Sequence, residues 1–440
     1  MSITAAIEFI EFSHAFGTRI NLHTMERLLQ QLGNPHQRLK VIHVAGTNGK
    51  GSTSSFLASM LMAQGYRTGL FTSPHMHCYT ERIRVNGMNI PEDDFSAIIE
   101  NLKSLVMPLV QGGECPHPAM FDLMTLAAFV YFDRMMLDVV VLEVGLGGLE
   151  DATNVINQPL AAVITPIDID HVDVLGHDLA GIAAHKAGII KNGRPVISHG
   201  QLPVAESVIQ KTAHLHHAPL FWMKPADVHV QASDLKEQVF HLVHPRYTME
   251  HVSIRMMGLH QTRNAAVALL TLLVLRSRGD LIITDESLLQ GLQNTLWAGR
   301  LEVLQHTPLV IIDGAHNLQG AEILQRFLLE HFPDRHINFL MGMLSNKDVE
   351  GVLDTLMPLG QKLFFTRAHS PKAVDPQSLA NQVQLFGKEV HAIDSMAEAV
   401  QTALMQTAID EVLVITGSLY LVGDAKSLLL QFMEQEKEAS

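Results

Sequence analysis

A glycine-rich loop near the N-terminus constrains the fold of this chain more than any other stretch. It follows the apolar, β-branched segment 41–45 and reads Gly-Thr-Asn-Gly-Lys-Gly-Ser-Thr over residues 46–53, with an amphipathic segment after it. A strand, such a loop and a helix in this order let backbone N–H groups and the positive end of a helix dipole surround phosphate oxygens. The loop is a short variant of the G-x-x-x-x-G-K-[ST] pattern, because Val44 stands where the first glycine would be. It predicts a nucleotide phosphate site in an α/β fold.

An ordinary glycine-rich turn is the alternative interpretation of this loop, and its charged and hydroxyl residues count against that. Lys50 would place a point charge on the outer phosphates, while Ser52 or Thr53 would offer a hydroxyl to Mg²⁺. These two residue types rarely follow a glycine-rich turn together without a phosphate ligand.

Acidic residues that end later apolar segments are candidate partners of the loop. Glu143 lies in the apolar run 139–144, and a carboxylate on a buried strand beside a phosphate loop is typical of a metal ligand. The glycines after it do not form a dinucleotide fingerprint, because Glu150 occupies the third glycine position. A second cluster, residues 168–173, follows the run 160–165, at the kind of strand end where open α/β sheets bind ligands. A solvated glutamate and a polar turn are the respective alternatives.

The composition argues against several classes of function. The 440 residues carry a net charge of −14, which disfavours binding of nucleic acid through its phosphates. With 47% hydrophobic and 17% charged residues, the chain is typical of a globular protein. Its two cysteines make no disulfide framework, and no apolar run approaches the ~20 residues of a membrane span. Because the N-terminus also lacks a signal-peptide pattern, we expect a cytoplasmic protein that binds neither nucleic acid nor membranes.

The order of apolar segments predicts two α/β units. Strand-like segments alternate with helical ones up to about residue 222, which indicates a mostly parallel, doubly wound sheet. Residues 228–256 predict a small antiparallel subsheet, and residues 261–264 are predicted to cap a helix over 265–275. A second alternation begins near residue 296 and predicts a smaller Rossmann-like α/β unit. The predicted domains are therefore 1–295, which binds ATP, and 296–440.

Residues 43–52 resemble the folylpolyglutamate synthase/dihydrofolate synthase family of the Mur ligase superfamily. Further strings similar to this family recur in the same order between residues 32 and 420. They include residues 72–75, 142–148, 151–154, 186–190, 299–302 and 313–317. One departure is visible: the family usually has arginine after the glycine pair, whereas Leu149 and Glu150 stand here before Asp151. A cation is thereby missing beside the expected substrate site.

The resemblance implies an ATP-dependent ligase. ATP phosphorylates a carboxylate and the amine of L-glutamate then displaces phosphate, so the site has to neutralise two anions that are brought together. The implied acceptors are dihydropteroate, which gives dihydrofolate, and reduced folates, which give folylpolyglutamates. The implied cofactors are two Mg²⁺ ions and a monovalent cation, and the implied assembly is a monomer.

The resemblance also implies roles for individual residues. The ATP contacts would be Thr47, Asn48, Gly49, Lys50, Gly51, Ser52, Asn264, Arg300, Asp313 and His316. The Mg²⁺ ligands would be Ser73, Glu143 and His171, of which imidazole is the less usual donor. The catalytic residues would be Lys50, His171 and Lys186, the last at the position of a lysine that the family carries as a carbamate. The substrate-side candidates are Asn21, Arg82, Asp122 and Asp151.

Three other functions stay open at this point. The chain could catalyse only the folylpolyglutamate reaction, without the dihydropteroate one. It could be a Mur-type ligase that acts on another carboxylate, although no separate sugar-nucleotide domain precedes residue 40. It could also be a nucleotide switch without a ligase step, against which the motifs at Lys186 and at residues 313–317 count.

Overall fold

The largest sheet of the molecule carries the glycine-rich loop near its centre. The computed structural model describes residues 1–17, 19–170, 172–383 and 387–439. The strands of this sheet are β1 (Val41–Ala45), β2 (Thr68–Phe71), β3 (Ile83–Val85), β4 (Met88–Asn89), β5 (Val139–Glu143), β6 (Ala161–Ile164), β7 (Val196–His199) and β8 (Leu220–Met223). They lie in the order β4-β3-β2-β5-β1-β6-β7-β8. The pairs β2–β3 and β3–β4 are antiparallel, and the other neighbouring pairs are parallel. The mostly parallel sheet predicted from the sequence is confirmed.

Helices cover both faces of this sheet. They are α1 (Ile3–Phe16), α2 (Leu22–Gln31), α3 (Lys50–Ala63), α4 (Glu92–Gln111), α5 (Met120–Arg134), α6 (Val172–Leu175), α7 (Leu179–Ala187), α8 (Pro203–Leu215), α9 (Leu259–Ser277) and α10 (Asp285–Asn294). Alternate residues of β1 face opposite sides, so Ile42 packs in the core with α3 and α9, whereas Val41 packs in the core with α1 and α5. Burial on both faces explains the uninterrupted apolar run.

Two smaller sheets complete the fold. The antiparallel subsheet consists of β9 (Val228–Ser233), β10 (Gln238–His244) and β11 (Tyr247–Ile254), as predicted. The third sheet contains β12 (Glu302–His306), β13 (Leu309–Ile312), β14 (Ile337–Met341), β15 (Gly360–Phe365), β16 (Glu389–Ala392) and β17 (Val412–Thr416). Its order is β12-β13-β17-β14-β15-β16, parallel except for β12. The helices of this part are α11 (Leu318–His331), α12 (Val349–Leu356), α13 (Pro376–Val383), α14 (Met396–Met405) and α15 (Leu419–Ala439).

The start of α9 differs from the sequence prediction. The helix begins at Leu259 after Gly258, which has a φ of 90°, so residues 261–264 lie inside the helix and do not cap it. Gln261, Thr262 and Asn264 are buried polar residues. They interrupt the apolar pattern because the first turns of α9 face a polar cavity, and this made the helix look shorter than it is. In the described part of the chain, no helix has the length and apolar character to cross a membrane.

Candidate nucleotide and acceptor site

The glycine-rich loop lies at the carboxyl end of β1 and needs glycine at two positions. Gly46 has a φ of 154° and Gly49 a φ of 82°. A Cβ atom would stand 1.8 Å from Thr165 Oγ1 at Gly46, and 2.7 Å from Asn264 Oδ1 at Gly49. Since α3 begins at Lys50, its first N–H groups point into the space that the loop encloses. The loop therefore has the backbone geometry of an anion site.

Contacts from elsewhere hold the loop in place. The Thr47 hydroxyl donates to the carbonyl of Asp168 at 3.0 Å, and Gly51 packs on the indole of Trp297. From the third sheet, Asn317 Nδ2 donates to Asn48 Oδ1 at 3.3 Å. A further link between the two parts of the chain is the ion pair of Lys347 with Asp170, at 3.3 Å. The loop thus forms one wall of a cleft whose other wall is the end of the third sheet.

Lys50 is a buried cation in this loop. Its Nζ donates to the carbonyls of Gly46 and Thr47, at 3.1 and 3.0 Å. Burial lowers the pKa of Lys50, and the nearby carboxylates of Glu143 and Asp170 oppose that shift. Because neutral carbonyls do not compensate a buried positive charge, Lys50 favours an anionic ligand in the loop.

Glu143 and Ser73 are the described candidates for a metal site. Glu143 Oε2 accepts a hydrogen bond from the Ser73 N–H at 3.2 Å. Burial raises the pKa of Glu143 to about 7, although Lys50, Arg300 and Arg82 act in the opposite direction. Burial therefore outweighs the three nearby cations, and a divalent ion would add the positive charge that keeps this carboxyl group ionised.

A Mg²⁺ ion fits this pair better than a transition metal does. Among the described residues, no group of three or more His, Cys, Asp or Glu side chains is arranged to hold a metal ion. Mg²⁺ is typically bound through one or two carboxylates together with the phosphates of a nucleotide, and it prefers oxygen donors such as those of Ser73 and Glu143. His171, the third predicted ligand, lies outside the described residues.

Lys186 reaches the same loop from α7. Its buried Nζ donates to the carbonyl of Gly46 at 2.8 Å. Burial, together with the charge of Lys50, lowers the pKa of Lys186 to about 7. A large fraction of Lys186 is therefore a neutral amine at neutral pH, so it is nucleophilic.

Arg300, Asp313 and His316 face the loop from the third sheet. Asp313 is buried, and its two carboxylate oxygens accept from the N–H groups of Leu301 and Ala315, at 2.9 and 2.8 Å. His316 Nδ1 lies 2.8 Å from the carbonyl of Gly314, and burial lowers the pKa of His316 to about 4. The imidazole is therefore neutral, with Nδ1–H as the donor. Asp313 orients the turn that carries Arg300, so the two residues form one unit.

A cavity of about 410 Å³ lies between these two walls. Of the ten predicted ATP contacts, seven line it: Asn48, Gly49, Ser52, Asn264, Arg300, Asp313 and His316. Lys50 and Thr47 belong to the same loop, where the Lys50 ammonium donates to the carbonyl of Thr47, and the Gly51 position packs on Trp297. The structure therefore brings the predicted ATP contacts from both parts of the chain to one cavity.

The predicted acceptor residues form a second group, on the α5 side of the sheet. Asp122 Oδ2 accepts from the N–H groups of Ile20 and Ala119, both at 3.1 Å, and burial raises the pKa of Asp122 to about 6. Asp151 is also buried and lies 4.0 Å from the guanidinium of Arg19. The two carboxylates are close enough for each to influence the other, since the charge of Asp151 raises the pKa of Asp122.

Arg82 and Asn21, the other two residues of this group, differ in burial, since Arg82 is buried and Asn21 is exposed. Arg82 is 3% exposed, and its Nε donates to Nδ1 of His75 at 2.9 Å. The pKa of His75 is lowered to about 3 by burial, so that partner is neutral and the guanidinium charge favours an anion nearby. Asn21 is exposed and accepts from the N–H of Thr24 at 2.8 Å, as the N-cap of α2. The structure thus gives Asn21 a structural contact that the sequence prediction did not include.

A buried hydrogen-bond chain behind Asp151 was not predicted from the sequence. His43 Nε2 lies 2.9 Å from Thr153 Oγ1, which donates to Asp151 Oδ1 at 2.6 Å. Because the threonine proton goes to the carboxylate, the hydroxyl oxygen accepts from His43, which is a neutral Nε2–H donor with its pKa lowered to about 3 by burial. A histidine inside an apolar strand was the available signal. The chain ties β1, which carries the phosphate loop, to the acceptor side.

Replacing Thr153 with valine should destabilise the protein by about 1–3 kcal/mol, because the buried N–H of His43 and the oxygen of Asp151 lose their shared partner. Urea denaturation followed by circular dichroism measures the change. T153S keeps the hydroxyl and should stay within about 1 kcal/mol of the wild type, apart from the lost methyl group. Equal losses in the two variants would contradict the proposed chain.

Two family models cover most of the chain. The Mur ligase middle domain matches residues 44–272, and the Mur ligase glutamate ligase domain matches residues 299–419. The first begins within β1 and ends within α9, and the second contains the third sheet with Arg300, Asp313 and His316. Each of the two walls of the cavity therefore falls within one of the matched regions.

Similar proteins extend over nearly the whole chain. A dihydrofolate synthase/folylpolyglutamate synthase of Bacillus subtilis is 35% identical over 417 residues, 94% of this chain and 96% of the relative. The Escherichia coli protein of the same name is 30% identical over 426 residues, covering 96% and 94% of the two chains. Mycobacterium tuberculosis folylpolyglutamate synthase complexed with ADP superposes with a TM-score of 0.88 at 31% identity, over 97% of this chain and 98% of that one. E. coli FolC in complex with DHPP and ADP gives 0.86 at 29% identity, over 99% of each chain.

Proposed function

The chain belongs to the Mur ligase family, as an ATP-dependent ligase of the dihydrofolate synthase/folylpolyglutamate synthase group, and we propose that it joins L-glutamate to dihydropteroate and to reduced folates. The observation that carries this proposal is the cavity in which the phosphate loop meets Arg300, Asp313 and His316 of the third sheet. Such a site suits a reaction in which a phosphate and a carboxylate, both anionic, come together. The same acyl phosphate chemistry serves both acceptors.

The two walls of the cleft bind different parts of ATP. Lys50 and the N–H groups of the loop hold the outer phosphates, while Arg300 binds phosphate and Asp313 binds the ribose from the other wall. A nucleotide between two walls draws them together and excludes water from the reacting carboxylate. This protection matters because an acyl phosphate in contact with water hydrolyses before the amine arrives.

We propose that Ser73, Glu143 and His171 hold Mg²⁺, which supplies positive charge to the phosphate oxygens. The donor chemistry of the first two and the raised pKa of Glu143 support this assignment. A second Mg²⁺ and a monovalent cation remain expectations from the family resemblance. The carbamate at Lys186 is a further part of the proposal, and the lowered pKa of its amine supports it.

On the acceptor side, Asp122 and Asp151 provide acceptors for the N–H groups of a pterin ring, and Arg82 provides a cation for a carboxylate. Leu149 stands where the family usually has arginine, and its side chain is 48% exposed. It offers apolar surface and no charge, so the acceptor carboxylate depends on other cations here. Arg19 and Arg82 are the candidates within the described residues.

The acceptor step should lose efficiency below about pH 6, where Asp122 takes up a proton. Burial raises the pKa of this group, so the carboxylate is ionised at pH 8 and largely neutral at pH 5. We expect kcat/KM for the acceptor to fall through this range, and D122N to remove the part of the fall near pH 6 while lowering the plateau about 10-fold. The part of the fall near pH 7 that Lys186 gives should remain in D122N. Steady-state kinetics from pH 5 to 8.5 in a constant-ionic-strength buffer measures both, and a fall near pH 6 that D122N leaves in place would assign it to another group.

Phosphate release with ATP, Mg²⁺ and L-glutamate tests the function directly. We expect glutamate-dependent release both with 7,8-dihydropteroate and with tetrahydrofolate, with the ligated products seen by mass spectrometry. Release with tetrahydrofolate alone would leave a single-function folylpolyglutamate synthase. Folded protein that binds ATP and is silent with both acceptors would refute the proposal and direct the search to another carboxylate.

The remaining features of the protein follow the family pattern in this proposal. We place the domain boundary between residues 295 and 296, which puts α10 before it and β12 after it. The enzyme acts as a cytoplasmic monomer on small molecules and does not use nucleic acid or membranes as partners. Limited proteolysis near residue 296 tests the domain boundary, and sedimentation analysis tests the monomer.

A further inference from the structure

The turn that carries Arg300 has an unusual backbone. Arg300 lies between two residues in the left-handed region, Gly299 with a φ of 69° and Leu301 with a φ of 46°. Glycine adopts this conformation freely, but the Cβ atom of leucine makes it unfavourable. The Leu301 side chain is 1% exposed and packs in the core beside the third sheet. Because a strained backbone persists only where its surroundings fix it, the contacts of this turn determine where Arg300 lies.

Two of these contacts come from the end of β13. Asp313 Oδ2 accepts a hydrogen bond from the Leu301 N–H at 2.9 Å, and the carbonyl of Gly299 accepts one from the Gly314 N–H at 2.8 Å. A Cβ atom at Gly314 would be only 2.6 Å from Nη1 of Arg300, so the guanidinium lies directly over this glycine. The segment after β13 therefore fixes the carbonyl before Arg300, the N–H after it and one face of its side chain.

A third contact holds the turn from the opposite direction. Glu302 is the first residue of β12, and its Oε2 accepts from the Gly299 N–H at 3.0 Å. Its other oxygen, Oε1, accepts from Nζ of Lys426 on α15 at 2.6 Å. The two side chains are 28% and 21% exposed, and an ion pair that open to water contributes little to stability by itself. Its effect here is geometric, because the carboxylate that Lys426 holds also holds the turn.

The helix α15 is a suitable support for the turn, because both pack against Met76. A Cβ atom at Gly423, one turn before the lysine, would be 2.7 Å from the carbonyl oxygen of Met76. A Cβ atom at Gly299 would be 3.4 Å from the Met76 sulfur. Met76 follows Ser73 by three residues, in the same loop. The contacts of α15 therefore fix Arg300 relative to the loop of the candidate metal ligand Ser73.

We propose that Glu302 and Lys426 are positioning residues for Arg300, which keep its guanidinium over Gly314 and aimed into the cavity. The inference rests on the proposed function, in which Arg300 binds a phosphate of ATP. Arg300 lines the cavity, whereas neither Glu302 nor Lys426 is among the residues that do. The two residues therefore act on the nucleotide only through the turn, and their contribution depends on the presence of the Arg300 side chain.

The test is a double-mutant cycle with Arg300. E302L removes the carboxylate, K426M removes its cationic partner and K426R keeps the charge, each in the wild-type and in the R300M background. The affinity for ATP without acceptor, by calorimetry, and kcat/KM for ATP in ligation are both measured. We expect E302L to lower kcat/KM roughly 10- to 30-fold and K426M roughly 3- to 10-fold, because a small displacement of a phosphate-binding group is costly. K426R should stay within about 2-fold of the wild type.

The R300M background distinguishes positioning from a general structural effect. There the same substitutions should change affinity and kcat/KM by less than about 2-fold, since the group that they position is gone. D280N is the matched control, because it breaks another ion pair of similar exposure, that of Arg278 with Asp280, beyond the far end of α9. We expect D280N to leave both parameters unchanged in either background.

The outcomes separate this inference from the function on which it rests. Wild-type protein that neither binds ATP nor ligates glutamate would refute the proposed function, and this role with it. In an active enzyme, folded E302L with wild-type affinity and kcat/KM for ATP would overturn the positioning role alone. A loss that is equally large in the R300M background would also overturn it. Should E302L fail to fold, K426M and K426R provide the same cycle at a partly exposed helix position, and the same two results would decide against the role.

Discussion

Replacement of Lys50 by methionine should lower kcat/KM for ATP by roughly 10²–10³-fold, the scale of removing one preorganised charge from a developing transition state. Methionine keeps the apolar body of the side chain and removes its charge. The Lys50 ammonium is buried and held by the carbonyls of Gly46 and Thr47. It is also the charge that acts most strongly against the raised pKa of Glu143. K50M should therefore also change the dependence on Mg²⁺, because it raises the pKa of that carboxyl group further and removes a charge that repels the ion.

The matched variant for this experiment is K50R, which keeps the charge and changes its shape. A planar guanidinium does not reproduce the two carbonyl contacts of an ammonium, so we expect intermediate activity. Phosphate release over a range of ATP and Mg²⁺ concentrations gives both parameters, and thermal unfolding shows whether each variant is folded. Folded K50M with wild-type kcat/KM for ATP would mean that the loop does not hold the reacting phosphates.

The sheets could be predicted from the sequence because the burial of their strands gives regular patterns of apolar residues. Strands such as β1 and β5, with helices on both faces, are continuous apolar runs, and β10 of the subsheet has the alternation of a half-exposed strand. β12 could not be predicted in this way, since it is a partly exposed edge strand without a continuous apolar run. The start of α9 was missed for the opposite reason, because polar residues are buried there around a cavity.

The candidate site divides along a similar line. Residues within contiguous motifs, such as those of the phosphate loop and Asp313, could be assigned because the resemblance to the family lies in short continuous segments. The contact between His43 and Thr153 could not be assigned, because 110 residues separate the two positions. Only a structure reports which nitrogen of a buried imidazole lacks a partner. Long-range polar contacts of this kind have no periodicity in the sequence.

Replacement of Lys186 by methionine should reduce kcat by roughly 10²–10³-fold, if the proposed carbamate contributes a charge at the site of phosphoryl transfer. In that adduct the neutral amine attacks CO2, an N–C bond forms, a proton leaves, and the side chain changes from cation to anion. The nearby lysine Lys191 provides the matched control. Burial lowers its pKa too, but it lies beyond the end of α7, and K191M should retain activity.

The carbamate at Lys186 should form more readily as the pH rises. The folded pKa of Lys186 is lowered to about 7, so the free amine predominates above that value and the ammonium below it. At constant dissolved CO2, both the adduct and the activity that depends on it should increase from pH 6 to pH 8. Native mass spectrometry should detect the added mass of one CO2 in bicarbonate buffer at pH 8 and its loss after CO2 is removed. K186M should show neither the adduct nor any response to CO2. A wild-type enzyme that keeps a plain amine and full activity in bicarbonate would contradict the carbamate. Lys186 would then act as a cation for the phosphates, and its lowered pKa would only reflect burial beside Lys50.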